Sequence, residues 1–119
     1  MCVRFDPHDK YLAQGRSDGA VVIWNVHSNK EAFVLNPNME EPMPMMMVRW
    51  RPAKSQAITK NVVLTVNANG SLQHWHTTSG KLLHTIFDEL NQLLCCDYNH
   101  DGTQFCSGGS DTIVRVYDE

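Results

Sequence analysis

Short runs rich in β-branched and aromatic residues alternate along this chain with clusters of Pro, Gly, Asn, Asp and Ser. Runs of that length between turn residues are strand signals. They predict strands over 2–5, 11–15, 20–26 and 31–35, then 45–50, 62–67, 71–76 and 81–87, then 93–98, 103–108 and 113–118. One stretch competes. "KLLHTIFDELNQLLCC" sets Leu82, Leu83, Ile86, Phe87, Leu90, Leu93 and Leu94 at helical spacing, so a helix is the alternative there. The strand reading, with "FDELNQ" as a turn, is preferred because a helix would erase one strand from each of two groups that otherwise align.

The groups are copies of one unit. Asp18 precedes Trp24 by six residues, Asn69 precedes Trp75 by six, and Asp111 precedes Tyr117 by six; the copies are 51 and 42 residues apart. A second landmark keeps step: Phe5, Trp50 and Tyr98 stand upstream, with Val3, Val48 and Cys96 two residues before them. Paired landmarks at such intervals mark a repeat architecture. Four short antiparallel strands per unit make a twisted sheet with two apolar faces, and such sheets are buried by stacking side by side around an axis. "AVVIW" is apolar at consecutive positions, as expected of a strand covered on both faces. The fold expected is all-β: a β-propeller segment of about three four-stranded antiparallel blades in one unit over 1–119. The blades fall at about 1–35, 36–87 and 88–119, the last lacking its outer strand.

The segments "SDGAVVIWN", "GGSDTIVRVYD", "FDPHDKYLAQG" and "YNHDGTQFCSG" resemble the WD-repeat family of β-propellers. The resemblance spans nearly the whole chain. It is weakest in the second copy, which has Asn69 for Asp and a longer first turn, "RPAKSQAITKN". It implies a polar tetrad in each blade. The Asp position falls on Asp18, Asn69 and Asp111, the Ser/Thr position on Gln14, Thr65 and Ser107, and the Trp position on Trp24, Trp75 and Tyr117. The His position falls on Glu41 and Glu89, where a carboxylate cannot donate. The full tetrad is therefore expected to be absent, leaving packing to carry more of the stability. The resemblance further implies a scaffold that binds proteins through loops at one end of the sheets. One set of those turns holds Arg16, Ser17, Asn67, Ala68, Gly109 and Ser110, and the other Met39, Glu40, Glu41, Asp88 and Glu89. The carboxylates favour a basic partner segment. A propeller needs about four to eight blades, so the rest of the ring is expected from a longer chain or from another one.

Composition narrows function mainly by exclusion. A net charge of −3 gives no basic field for nucleic acid or an anionic membrane, and no apolar run nears the length of a membrane span. Cys2, Cys95, Cys96 and Cys106 lack Cys-x-x-Cys spacing and read as reduced thiols of a cytoplasmic protein, with a redox pair to Cys106 as the alternative. Nuclear or cytoskeletal placement stays open.

No nucleophile motif or phosphate loop emerges: "SGGS" is too short and precedes a strand. "MEEPMPMMM" holds five of the six methionines and reads as a connecting loop, with partner contact or Cu(I) as alternatives. "HWH" is a weak metal fragment; His74, where the other copies hold Ile23 and Val116, reads as a neutral buried histidine, with a pH-sensitive packing defect as the alternative. Arg49 and Arg51 read as solvated or locally paired, with an acidic partner as the alternative. No cofactor and no enzyme activity are expected. A structural role in a cytoskeletal, ciliary or coat assembly stands beside the adaptor reading.

Overall fold

In the computed structural model, described here for residues 2–36, 41–57, 59–88 and 90–119, eleven strands form three separate antiparallel sheets. The first sheet is β1 (Cys2–Phe5), β2 (Tyr11–Gly15), β3 (Val21–Asn25) and β4 (Lys30–Leu35), paired in chain order. The second is β5 (Met45–Trp50), β6 (Val62–Asn67), β7 (Ser71–His76) and β8 (Lys81–Phe87), and the third is β9 (Leu93–Tyr98), β10 (Gln104–Gly109) and β11 (Val114–Asp118). No helix occurs among the described residues. The helical alternative over 82–94 fails because Leu90 takes φ 62° in the turn after β8 and is fully solvent-exposed.

Register aligns the landmarks. Phe5 lies opposite Leu12 and Leu12 opposite Trp24; Trp50, Val63 and Trp75 make the same row in the second sheet, and Tyr98, Phe105 and Tyr117 in the third. A period of two residues then puts each row on one face of its sheet. Strand ends differ from expectation by one residue in places. Ala20 accepts the turn bond from Arg16 N–H, and Val26 donates to the carbonyl of Lys10, so both lie outside β3. Asn29 at φ 56° brings Lys30 into β4.

The sheets pack in two seams. Ala13, Val21, Ile23 and Leu35 of the first sheet meet Met45, Val48, Trp50, Val63 and Trp75 of the second. Leu64, Val66 and Leu72 of the second meet Leu93, Cys96 and Phe105 of the third. Each fully buried aliphatic side chain contributes about 1.5–3 kcal/mol, so these seams dominate the energetics. Expected cover on both faces of β3 holds in part. Val21 and Ile23 face the second sheet, and Val22 is buried in the middle of the other face, yet Val3, Phe5 and Val34 around it are 51%, 60% and 51% exposed. The last sheet has three strands, as the sequence pattern indicates.

Candidate functional site: a loop face at one end of the sheets

Three turns share one construction. Asp18 accepts the N–H of Ala20 at 3.1 Å, Asn69 that of Ser71 at 2.9 Å, and Asp111 that of Ile113 at 3.1 Å. Each side chain closes its turn by bonding two residues on, which short polar side chains do readily. Gly19 at φ 89° and Gly70 at φ 95° supply the left-handed residue in two of them, and Thr112 at φ 69° does so in the third.

The turns are stitched to lead-in loops, some of the same sheet and some of the next. Met45 N–H donates to Arg16 O, Ala68 N–H to Pro44 O, Asp88 N–H to Gly70 O, and Ser110 N–H to Gln92 O. Asn67 adds a side-chain bond to the carbonyl of Met43 at 2.9 Å. Arg16, Asn67 and Asp88 are thereby brought to one end of the stack, and Glu41 stands two residues before Met43 in the same lead-in segment. Met39, Glu40 and Glu89 lie outside the described residues.

The face is acidic but largely self-matched. Asp18 pairs with Arg16 at 2.8 Å, and Arg115 pairs with both Asp111 at 2.8 Å and Asp88 at 3.1 Å. The Ile113 N–H and the Arg115 guanidinium hold the Asp111 carboxyl below its ordinary range. Glu41 is exposed. Sequence reasoning missed two residues here. Asn91, 5% exposed, donates to Asp88 at 2.8 Å and accepts from the Ser110 hydroxyl at 3.2 Å and the Asp111 N–H at 3.1 Å. Arg115 bridges two loops. Neither belongs to the expected pattern: Asn91 ties the lead-in to β9 to the turn before β11, and Arg115 joins that turn to Asp88 after β8.

The tetrad positions do different work in each sheet. Trp24 Nε1 donates to Gln14 Oε1 at 3.0 Å. Trp75 Nε1 is buried without a partner among the described residues, while the Thr65 hydroxyl donates to the carbonyl of Gln73 at 3.4 Å. Ser107 is buried, and Tyr117 stacks on Phe105 with ring centroids 5.2 Å apart.

The remaining candidates are placed plainly. Arg49 pairs with Asp97 at 3.4 Å, and Arg51 pairs with Glu119, tying β5 to the third sheet. All four cysteines are free, and burial pushes the Cys96 thiol far up. Met45 is core, and the Met47 sulfur accepts from Cys96 N–H at 3.4 Å. Among the described residues no group of three or more His, Cys, Asp or Glu is placed to hold a metal. No helix there is long and apolar enough to cross a membrane.

Residues 1–25 and 80–118 match the WD domain, G-beta repeat family. This chain belongs to the WD40 family. The second match runs from the last strand of the second sheet through the third, so the WD40 sequence repeat straddles two sheets. The unmatched stretch holds the long turn and Asn69, where the chain departs from the WD40 pattern. An uncharacterised WD repeat-containing protein of Schizosaccharomyces pombe is 27% identical across 97% of this chain and 21% of its own length. Meiotic fizzy-related protein 2 of that organism is 27% identical, across 91% and 20%. Cilia- and flagella-associated protein 52 of Chlamydomonas reinhardtii is 26% identical, across 99% and 18%. The chain thus spans about a fifth of these relatives. The crystal structure of the Cps50 (Swd1) β-propeller domain of Myceliophteria thermophila superposes with TM-score 0.81 at 22% identity, over 99% of this chain and 35% of that one. The fold is a partial WD40 propeller. Propellers of this family are in general non-catalytic scaffolds that bind other proteins.

Proposed function

We propose that this chain is part of a non-catalytic interaction scaffold within a cytoplasmic multiprotein complex, and that its loop face receives partner proteins. What carries the reading is the stitching of turns and lead-in loops into one end of rigid sheets. Loops held by a rigid framework are where binding concentrates. The partner segment is basic. Because Asp18, Asp88 and Asp111 are matched by arginines, its selectivity falls on Glu41, on its neighbour Glu40 and on Glu89 next to Asp88 in sequence. A structural role in a large assembly is the second reading; it draws support from the similarity to Cilia- and flagella-associated protein 52 across 99% of the chain.

The test reverses Glu40, Glu41 and Glu89 to lysine and leaves Asp88 in place, since Asp88 also anchors Arg115. The probe is a decapeptide alternating lysine and serine, titrated at two salt concentrations. Binding is expected to weaken at least tenfold and to lose its salt dependence. Unchanged affinity and salt slope would remove this face from consideration.

A further inference from the structure

The long turn over 51–61 is the part of the second sheet that neither other sheet has, and the loop face makes no use of it. Hairpin connections usually run about 2–5 residues. This one is a built structure. Arg51 N–H donates to Val62 O, and the Arg51 guanidinium to Thr59 O, both at 2.9 Å. Ser55 is buried within the turn: its N–H donates to Pro52 O, its hydroxyl accepts from Ala57 N–H, and its carbonyl accepts from the Lys60 ammonium at 2.9 Å. The third sheet braces the turn. Lys54 donates to His100 Nε2 at 2.9 Å, and a Cβ on Gly102 would stand 3.0 Å from Ser55 Cβ.

Held this way, the turn walls a notch of about 240 Å³ between the first and second sheets, at the end opposite the loop face. Pro7, Trp50, Pro52 and Val62 give it an apolar surface, and His8 and Lys60 are the exposed residues at its rim. Trp50 is fixed by a bond from Nε1 to Arg4 O at 3.0 Å. Both sheets carry four strands, so the notch does not depend on a missing neighbour. Small-molecule sites run about 300–1,000 Å³; this one has room for a single aliphatic side chain.

Charge points to the rest of the guest. All five lysines, Lys10, Lys30, Lys54, Lys60 and Lys81, lie in or directly after the turns of this end. Arg16, Arg49, Arg51 and Arg115 each face a carboxylate, whereas no lysine forms an ion pair among the described residues. Lys60 and Lys54 bond to neutral groups, the Ser55 carbonyl and His100, which leave their charge unmatched. The nearby acids are engaged: Asp6 accepts the N–H groups of Lys10 and Tyr11, Asp101 accepts the N–H and hydroxyl of Thr103, and Glu119 pairs with Arg51. Asp9 is left against Lys10, Lys54 and Lys60.

We propose that this notch receives a segment of a partner protein in which one aliphatic residue is followed by acidic ones. The aliphatic side chain packs against Trp50 and Val62, and the carboxylates meet Lys60, His8 and Lys54 at the rim. Asp6 lines the notch and keeps the guest's acids out of its depth, since like charges repel there. The two ends of the stack thus take partners of opposite charge.

The experiment titrates the ¹⁵N-labelled chain with an octapeptide of glycine and serine that carries one leucine followed by three aspartates. The Trp50 indole signal and the Ser55 and Lys60 amides are expected to shift together, while the indole signals of Trp24 and Trp75 stay in place. Alanine for leucine is expected to weaken binding about tenfold. Asparagine for the aspartates is expected to weaken it at least tenfold and to remove its salt dependence. Lys60→Gln keeps a donor for the Ser55 carbonyl and removes the charge; it is expected to weaken the acidic peptide at least threefold with thermal unfolding unchanged. The lysine–serine decapeptide is expected to leave the Trp50 signal in place, which separates this site from the loop face. The proposal is overturned by shifts that spare Trp50, by equal binding of the alanine or asparagine peptide, or by full affinity of Lys60→Gln. It is also overturned if a single-stranded oligothymidylate displaces the peptide at lower concentration than the peptide itself requires, since the face would then serve nucleic acid. Should Lys60→Gln unfold at lower temperature, the peptide series on the native chain decides the matter.

Discussion

His74 occupies the place that Ile23 and Val116 take in the other sheets, and the mismatch has a measurable consequence. Its ring meets Phe105 edge-on at 4.7 Å and lies near Tyr98 and His84. Asp118 and the Arg51–Glu119 pair line the cleft beside it. Burial first, then the charges of Arg51 and His84, lower its pKa from 6.5 to about 4. The folded ring is thus neutral where the unfolded one has begun to take a proton. Its share of stability is complete above pH 6.5, falls as pH drops toward 4, and is level below that. The shift corresponds to about 3 kcal/mol. Urea unfolding of the native chain and of His74→Ile at pH 7.5, 5.5 and 4.5 separates this from the titrating carboxylates, which both share. The native chain is expected to lose about that much more than the variant. A pH-independent difference between them would show that the neutral buried ring is not the cause.

Among the elements, the turns are less forgiving than the strands. Gly70 and Gly80 both have positive φ, at 95° and 71°. A Cβ at Gly70 would stand 2.3 Å from Asp88 O and 2.9 Å from Asn91 O, whereas one at Gly80 would meet nothing within 4 Å. Gly80→Ala is expected to cost about 1–2 kcal/mol, the penalty of a left-handed residue. Gly70→Ala adds a collision with backbone that cannot yield, and is expected to cost well above that or to detach the loop carrying Asp88. Thermal unfolding of the pair isolates the collision, and equal costs would show that the loop gives way. The strands were legible because β-branched runs between turn residues have few other readings, and because three copies vouched for one another. Leu82, Leu83, Ile86 and Phe87 looked helical alone; only their alignment with Glu31–Leu35 favoured a strand. The loop face was less legible. Asp18, Asn69 and Asp111 carry a signal because each acts on its own turn. Asn91 and Arg115 carry less, since Asn91 acts on a turn about twenty residues on and Arg115 links its own turn to the loop after β8, pairings that no repeat landmark marks.

At the scale of the whole molecule, two kinds of tie join the second sheet to the third, and their magnitudes differ. Ionic ties are partly open to water: the side chains of Arg115 and Asp88 are 32% and 20% accessible, those of Arg49 and Asp97 23% and 66%, and those of Arg51 and Glu119 11% and 21%. Pairs of that sort contribute at most about 1 kcal/mol and are screened by salt. The apolar tie centres on Phe105, 4% exposed, set edge-on to His74 and stacked on Tyr117. Removing a buried phenylalanine side chain costs about 3–5 kcal/mol. Phe105→Ala is therefore expected to free β9–β11, with amide exchange in those strands rising by orders of magnitude while Val21, Ile23 and Val63 in the other seam stay protected. Arg115→Met keeps the aliphatic stem and removes the charge. It is expected to leave that protection within a few-fold and to weaken its dependence on salt, since the Arg49–Asp97 and Arg51–Glu119 pairs remain. Loosening of the third sheet by Arg115→Met to the same degree as by Phe105→Ala would mean that charge rather than packing holds the seam. Ion pairs would then close the third sheet against the second in place of the apolar faces.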